Sequence, residues 1–148
     1  MVNGTARFTA DTNYPGYPKE EMLQSMNQYR ENWEGFFCPF LTEVAPIPWT
    51  DIDTLFNLLQ RNVTNEGMAA LVEELNLVDV RSELANIKCQ TLVIHSTNDQ
   101  VIPFSQAQYP ASHIKNAKLH RLENADHHIN PAYNDEIVQV IAEFVSSL

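Results

Sequence analysis

The stretch Thr91-Leu92-Val93-Ile94-His95-Ser96-Thr97-Asn98-Asp99-Gln100-Val101-Ile102-Pro103 decides how the chain is read. Residues 91–95 form a short, nearly unbroken apolar run rich in β-branched side chains, as in a parallel strand buried on both faces. Ser96, Thr97, Asn98 and Asp99 are turn formers that end it. A helix is expected over 104–114, and Lys118-Leu119-His120-Arg121-Leu122 then alternates as a second strand. Strand, helix and strand fill a βαβ unit of the usual size, about 30 residues, whose crossover should be right-handed.

The texture differs on the N-terminal side. Residues 1–17 are a lead-in rich in turn formers, among them Gly4, Asn13, Pro15 and Gly16. Pro18 suits a first helical position, and Met22, Met26, Tyr29 and Trp33 recur at helical spacing, so a helix is predicted over 18–34 with Gly35 ending it. Pro39, Pro46 and Pro48 break up the apolar stretch 36–49, which reads as an irregular segment that could line a pocket. Thr50 and Asp53 resemble a capping box opening a helix over 51–62, whose apolar side is Leu55, Phe56, Leu58, Leu59 and Val63. Asn65 can cap another helix over 66–78, with Met68, Leu71, Val72 and Leu75 inward. Beyond the second strand, residues 134–147 form a last helix with Ile137, Val138, Ile141, Phe144 and Val145 on one face.

The chain has 148 residues, which as a prior means one domain. Its 9 Lys and Arg against 19 Asp and Glu give a formal charge of -10, which argues against nucleic acid and anionic membrane surfaces as partners. No stretch has the length of a membrane span or signal peptide, so a cytoplasmic location is the default. Cys38 and Cys89 belong to no C-x-x-C pair and read as small buried hydrophobes.

The chemistry is expected in the loops beyond the two strands, because ligands of open parallel sheets bind past the carboxyl ends of the strands. One loop carries Asp99 and the other Glu123-Asn124-Ala125-Asp126-His127-His128. An aspartate accepting from a histidine ring N–H fixes its tautomer and stabilises the imidazolium, the acid–base half of a Ser-His-Asp triad. His128 competes with His127 for that role. Asp126-His127-His128 also spells a metal-phosphoesterase signature, but further carboxylates on other strand ends are wanting, so neither metal nor cofactor is expected. His95, His113 and His120 have no ligand spacing and read as structural or exposed, and Glu20-Glu21 and Glu73-Glu74 as solvated helix faces.

These loops resemble those of the α/β-hydrolase-fold superfamily. His95 to Pro103 is similar to the acid-bearing H-G-x-x-D-x-x-V/I-P loop, and Leu122 to His127 to the histidine loop, with acid and histidine in family order and 28 residues apart. Asp79-Val80-Arg81, Leu84 and Ile87 resemble the stretch joining cap to core, and Val2 to Thr5 the end of the sixth strand. The resemblance implies a partial α/β-hydrolase fold: the end of a core strand and lead-in at 1–17, a helical cap at 18–80, and the C-terminal part of the core, a β-α-β-α unit with parallel strands, at 81–148. It implies Asp99 as acid and His127 as base of a serine hydrolase, with a small ester-like molecule as substrate of the intact enzyme. Ser96 and Asp126 stand where glycines are common, and Pro110 should bend or break its helix. No serine lies within two residues of Gly4, Gly16, Gly35 or Gly67, so there is no G-x-S-x-G nucleophile elbow, and the oxyanion-hole donors would precede residue 1. The chain by itself is therefore expected to be inactive. The alternative is a non-catalytic interaction domain or truncated fragment that self-associates or pairs with a missing N-terminal half through unpaired strand edges.

Overall fold

The structure, a computed structural model, describes residues 1–47 and 49–148; Pro48, one of the three prolines of the 36–49 segment, lies outside the described residues. Two compact units form, one from Met1–Ala6 with Asp79–Leu148, the other from Arg7–Val78.

In the first unit, β1 (Thr91–Ser96) and β2 (Ala117–Leu122) pair in parallel, with Thr91 opposite Ala117 and Ser96 opposite Leu122. The N-terminus lies along the other edge of β1. The Met1 ammonium donates to Leu92 O (2.8 Å), Ile94 N–H to Met1 O (2.8 Å), and Asn3 N–H to Ile94 O (3.1 Å). Val2 thus bridges Ile94 in parallel and β1 is flanked along both edges, with Val93, Ile94, His95 and Ser96 all buried. Between the strands runs α4 (Phe104–His113), and α5 (Asn134–Ser146) follows β2.

Alternation along the strands sends side chains to two cores. Ile94 and Leu122 pack with Ala125, Ile129, Ile137 and Val140; burying each of the two contributes about 1.5–3 kcal/mol relative to exposure. A second cluster joins Ala6, Leu84 and Ile114. The expected single apolar face of α5 is corrected. Ile137 and Val140 pack inward, while Val138 (66% exposed), Ile141 (42%) and Val145 (59%) face outward. Pro110 neither breaks α4 nor interrupts it. It sits in the last turn with its ring buried, and the carbonyl of Pro110 accepts the capping N–H of Ile114.

The second unit holds α1 (Lys19–Pro39), α2 (Ile52–Asn62) and α3 (Asn65–Leu77), with Tyr29, Trp33, Met68, Ala69 and Val72 as its core. Gly35 does not end α1. The helix kinks at Asn32 (φ -158°, ψ 83°), resumes under the Asn32 side chain, whose oxygen caps Gly35 N–H at 3.0 Å, and widens past Pro39 into a π-helical turn over Phe40–Val44. Ala45 N–H donates to Phe40 O (2.8 Å), the i→i−5 bond that makes the turn π-helical. The segment expected to be irregular is therefore helical through Val44, with Phe36, Phe37 and Phe40 in an aromatic cluster with Tyr29 and Trp33.

The caps also differ from expectation. Asp51, not Thr50, caps α2 by accepting from Thr54 N–H, and Thr64, not Asn65, caps α3 by accepting from Gly67 N–H (3.0 Å). Asn65 instead reaches α1, accepting from Trp33 N–H (3.1 Å) and donating to Glu31 O (3.1 Å), two backbone groups that the kink strands. Leu71, expected inward, is 56% exposed. Cys38 is half-buried and Cys89 exposed, both free thiols rather than buried hydrophobes.

Candidate functional site

The site lies in the first unit, where the loops after β1 and β2 meet. Asp99 is buried within the β1 loop, and its Oδ1 accepts from Val101 N–H (2.8 Å) and Ile102 N–H (2.7 Å). Those bonds close a turn of the kind aspartate favours and pre-orient the carboxylate. His127 arrives from the β2 loop and donates from Nδ1 to Asp99 Oδ2 (2.9 Å) and Oδ1 (3.1 Å). His128 does not take that place; its ring meets the His127 ring edge-on, centroids 5.2 Å apart.

Burial alone would raise the Asp99 carboxyl. The hydrogen bond from His127, the N–H groups of Ile102 and Val101 and the charge of His127 outweigh it and hold the carboxyl below its ordinary value of 3.8. Asp99 is then ionised at neutral pH and can only accept, so the His127 proton sits on Nδ1. In the neutral ring Nε2 keeps its lone pair and can take a proton, and the carboxylate stabilises the imidazolium that results.

Backbone and side-chain groups of Thr97, Asn98 and Asn124, for which no role in the site is expected from the sequence, sew the two loops together. Thr97 N–H donates to Leu122 O (3.0 Å), Asn98 N–H to Ala125 O (3.0 Å), Asn124 N–H to Thr97 Oγ1 (2.8 Å), and Asn98 Nδ2 to Asp126 Oδ1 (2.7 Å). Asn124 adopts φ 60°, a left-handed conformation that asparagine tolerates better than most residues. That tolerance was the available signal in the sequence. His95 is fully buried and structural; its Nε2–H donates to Ile102 O (2.7 Å) and lies 3.6 Å from Asp99 Oδ2, with its ring against Phe104. His113 bonds Tyr109 O and His120 pairs with Glu136, both at the surface. Among the described residues no group of three or more His, Cys, Asp or Glu is placed to hold a metal ion, and no helix is long and apolar enough to cross a membrane.

The fold has counterparts among solved structures. An esterase from Exiguobacterium antarcticum superposes with a TM-score of 0.79 at 22% identity, over 95% of this chain and 53% of that one. A bromoperoxidase from Bacillus anthracis gives 0.75 at 16%, over 98% and 56%. In sequence, the AB hydrolase superfamily protein YisY of Bacillus subtilis (strain 168) is 35% identical over 69 residues, which make 47% of this chain and 26% of that protein. The chain has part of the α/β-hydrolase fold. It spans about half the length of those solved structures and aligns with about a quarter of YisY. No protein-family model matches the sequence. Within the α/β-hydrolase fold, Asp99 and His127 occupy loops beyond consecutive parallel strands, the edge where such sheets carry their ligands.

Proposed function

We propose that this chain contributes the acid and the base of a serine hydrolase acting on small ester-like substrates. Asp99 orients His127, and His127 Nε2 removes the proton of a serine hydroxyl and later returns a proton to the leaving group. The observation that carries the reading is the Nδ1–carboxylate pair at 2.9 Å, with the carboxylate pinned by two backbone N–H groups. The esterase likeness agrees with ester-like substrates. No G-x-S-x-G occurs in these 148 residues, so on this reading the nucleophile and oxyanion hole come from outside them, and residues 18–80 are the helical cap.

The purified chain is expected to hydrolyse p-nitrophenyl esters no faster than buffer. Turnover that disappears in His127→Ala would overturn the external nucleophile. If an in-frame G-x-S-x-G is encoded upstream of Met1, the longer product should hydrolyse short-chain esters and lose about 10²–10⁴-fold in kcat/KM with His127→Ala. Wild-type rates in that variant would end the acid–base reading.

The outward stripe of α5 favours a second reading, a surface for self-association. Val138, Ile141 and Val145 make α5 apolar on two sides, which is usual for a covered helix. Sedimentation showing a monomer at all accessible concentrations would remove it.

A further inference from the structure

We infer that Asn3 is a positioning residue for His127, the side chain that fixes where the histidine backbone stands relative to the end of β1. The inference rests on the acid–base reading of Asp99 and His127 and deepens it.

Asn3 ends the N-terminal segment paired along β1, and its amide is used in full. Oδ1 accepts from Ser96 N–H (2.9 Å), and Nδ2 donates to Ser96 Oγ (3.0 Å) and to His127 O (2.8 Å). The amide orientation is unambiguous, because a flip would set N–H against N–H and oxygen against carbonyl. The backbone at Asn3 has φ 39°, in the left-handed region where asparagine and glycine are the usual occupants. Glycine would satisfy the backbone there but could make none of the three bonds, so the residue type meets two independent demands.

The position gives these bonds their consequence. Ser96 is the last residue of β1, three residues before Asp99, and is fully buried. Its N–H is thus tied to the same amide that holds the His127 carbonyl. Asp99 leaves one end of this bridge and the His127 ring leaves the other, and the two meet at 2.9 Å. The loop-to-loop bonds of Thr97, Asn98 and Asn124 hold residues up to Asp126, whereas the Asn3 bond acts on His127 itself.

The experiment is nitrogen-15 NMR of the full chain, following the His127 Nδ1–H proton and its exchange with water, with circular dichroism as a fold check. Asn3→Asp keeps an acceptor for Ser96 N–H but sets a carboxylate oxygen against His127 O. Asn3→Gly suits φ 39° and removes all three bonds. Ser96→Ala removes one Asn3 bond and leaves the tie to His127. Exchange of Nδ1–H should quicken about fivefold in both Asn3 variants, the effect of one lost hydrogen bond, and stay near wild type in Ser96→Ala. Folded Asn3 variants with wild-type exchange overturn the inference while leaving the acid–base pair standing, provided Asp99→Asn does change the signal. An Nδ1–H signal indifferent to Asp99→Asn overturns the pair and the inference with it. Unfolding of both Asn3 variants also counts against it, since Asn3 would then serve overall stability rather than the placement of His127.

Discussion

Replacing Asp99 separates what the carboxylate does for the loop from what it does for the histidine. Three donors converge on it: Val101 N–H at 2.8 Å, Ile102 N–H at 2.7 Å and His127 Nδ1–H at 2.9 Å. Asp99→Asn keeps the shape and one oxygen for the two backbone donors, but sets an NH2 group against Nδ1–H. The backbone bonds fall from charge-assisted to neutral strength and the histidine bond is lost unless the ring changes tautomer, a cost of about 2–3 kcal/mol. Asp99→Ala leaves two backbone N–H groups without an acceptor and removes the histidine bond, a cost of about 4–6 kcal/mol. The alanine variant should therefore be less stable than the asparagine variant by about 2–3 kcal/mol. Urea unfolding followed by far-UV circular dichroism at neutral pH measures the difference. If the two units unfold in separate steps, the shift belongs to the step of Met1–Ala6 with Asp79–Leu148, and exchange of the Ile102 amide identifies it. Variants that agree within about 0.5 kcal/mol would refute the reasoning, because the backbone bonds would then hold nothing.

The Asp99 carboxyl is depressed in the folded chain, so its contribution to stability is complete above its ordinary value of 3.8 and is lost as pH falls from there through the folded value. Stability of the Asp99→Asn variant should fall less steeply with acid over that window in pH-dependent urea titrations; parallel slopes would contradict the assignment. Asn65→Ala strands Trp33 N–H and Glu31 O at the α1 kink and should lower stability by about 1–2 kcal/mol, more than Asn62→Ala, whose side-chain amide donates to Leu58 O within its own helix. Gly16→Ala would place a Cβ 2.5 Å from Phe8 O and from Thr9 C, so a loss of about 1–3 kcal/mol is expected on thermal unfolding. Gly67→Ala, whose nearest contact is Thr64 Oγ1 at 3.3 Å in the first turn of α3, should be nearly neutral or mildly stabilising, and a large loss there would show that the turn is tighter than described.

Local pattern made the existence and type of most elements legible. β-branched residues between turn formers located β1 within a residue, and alternation did the same for β2. The order of acid and histidine loops carried the fold class, and strand-end position pointed to Asp99 and His127. These signals survive because strand period and turn chemistry are written in neighbouring residues.

What local pattern could not carry was any property set by a partner distant in sequence. Gly35 looked like a helix end, yet α1 runs on because Asn65, from another helix, satisfies the backbone groups opened at Asn32. The apolar residues of α5 satisfied one helical face on paper, but only packing against β1 and the β2 loop selected Ile137 and Val140 and left Val138 outward. Cys89 is exposed for the same reason, since burial depends on what the fold brings alongside a residue and not on its hydrophobicity alone. By itself the sequence determined both strands, most of the helices and their order, and the two loops from which Asp99 and His127 come. The sequence favoured His127 over His128 only through its register in a resembling loop; the tertiary structure shows His127 Nδ1 at 2.9 Å from Asp99, because that meeting joins two loops 28 residues apart that Thr97, Asn98 and Asn124 tie together.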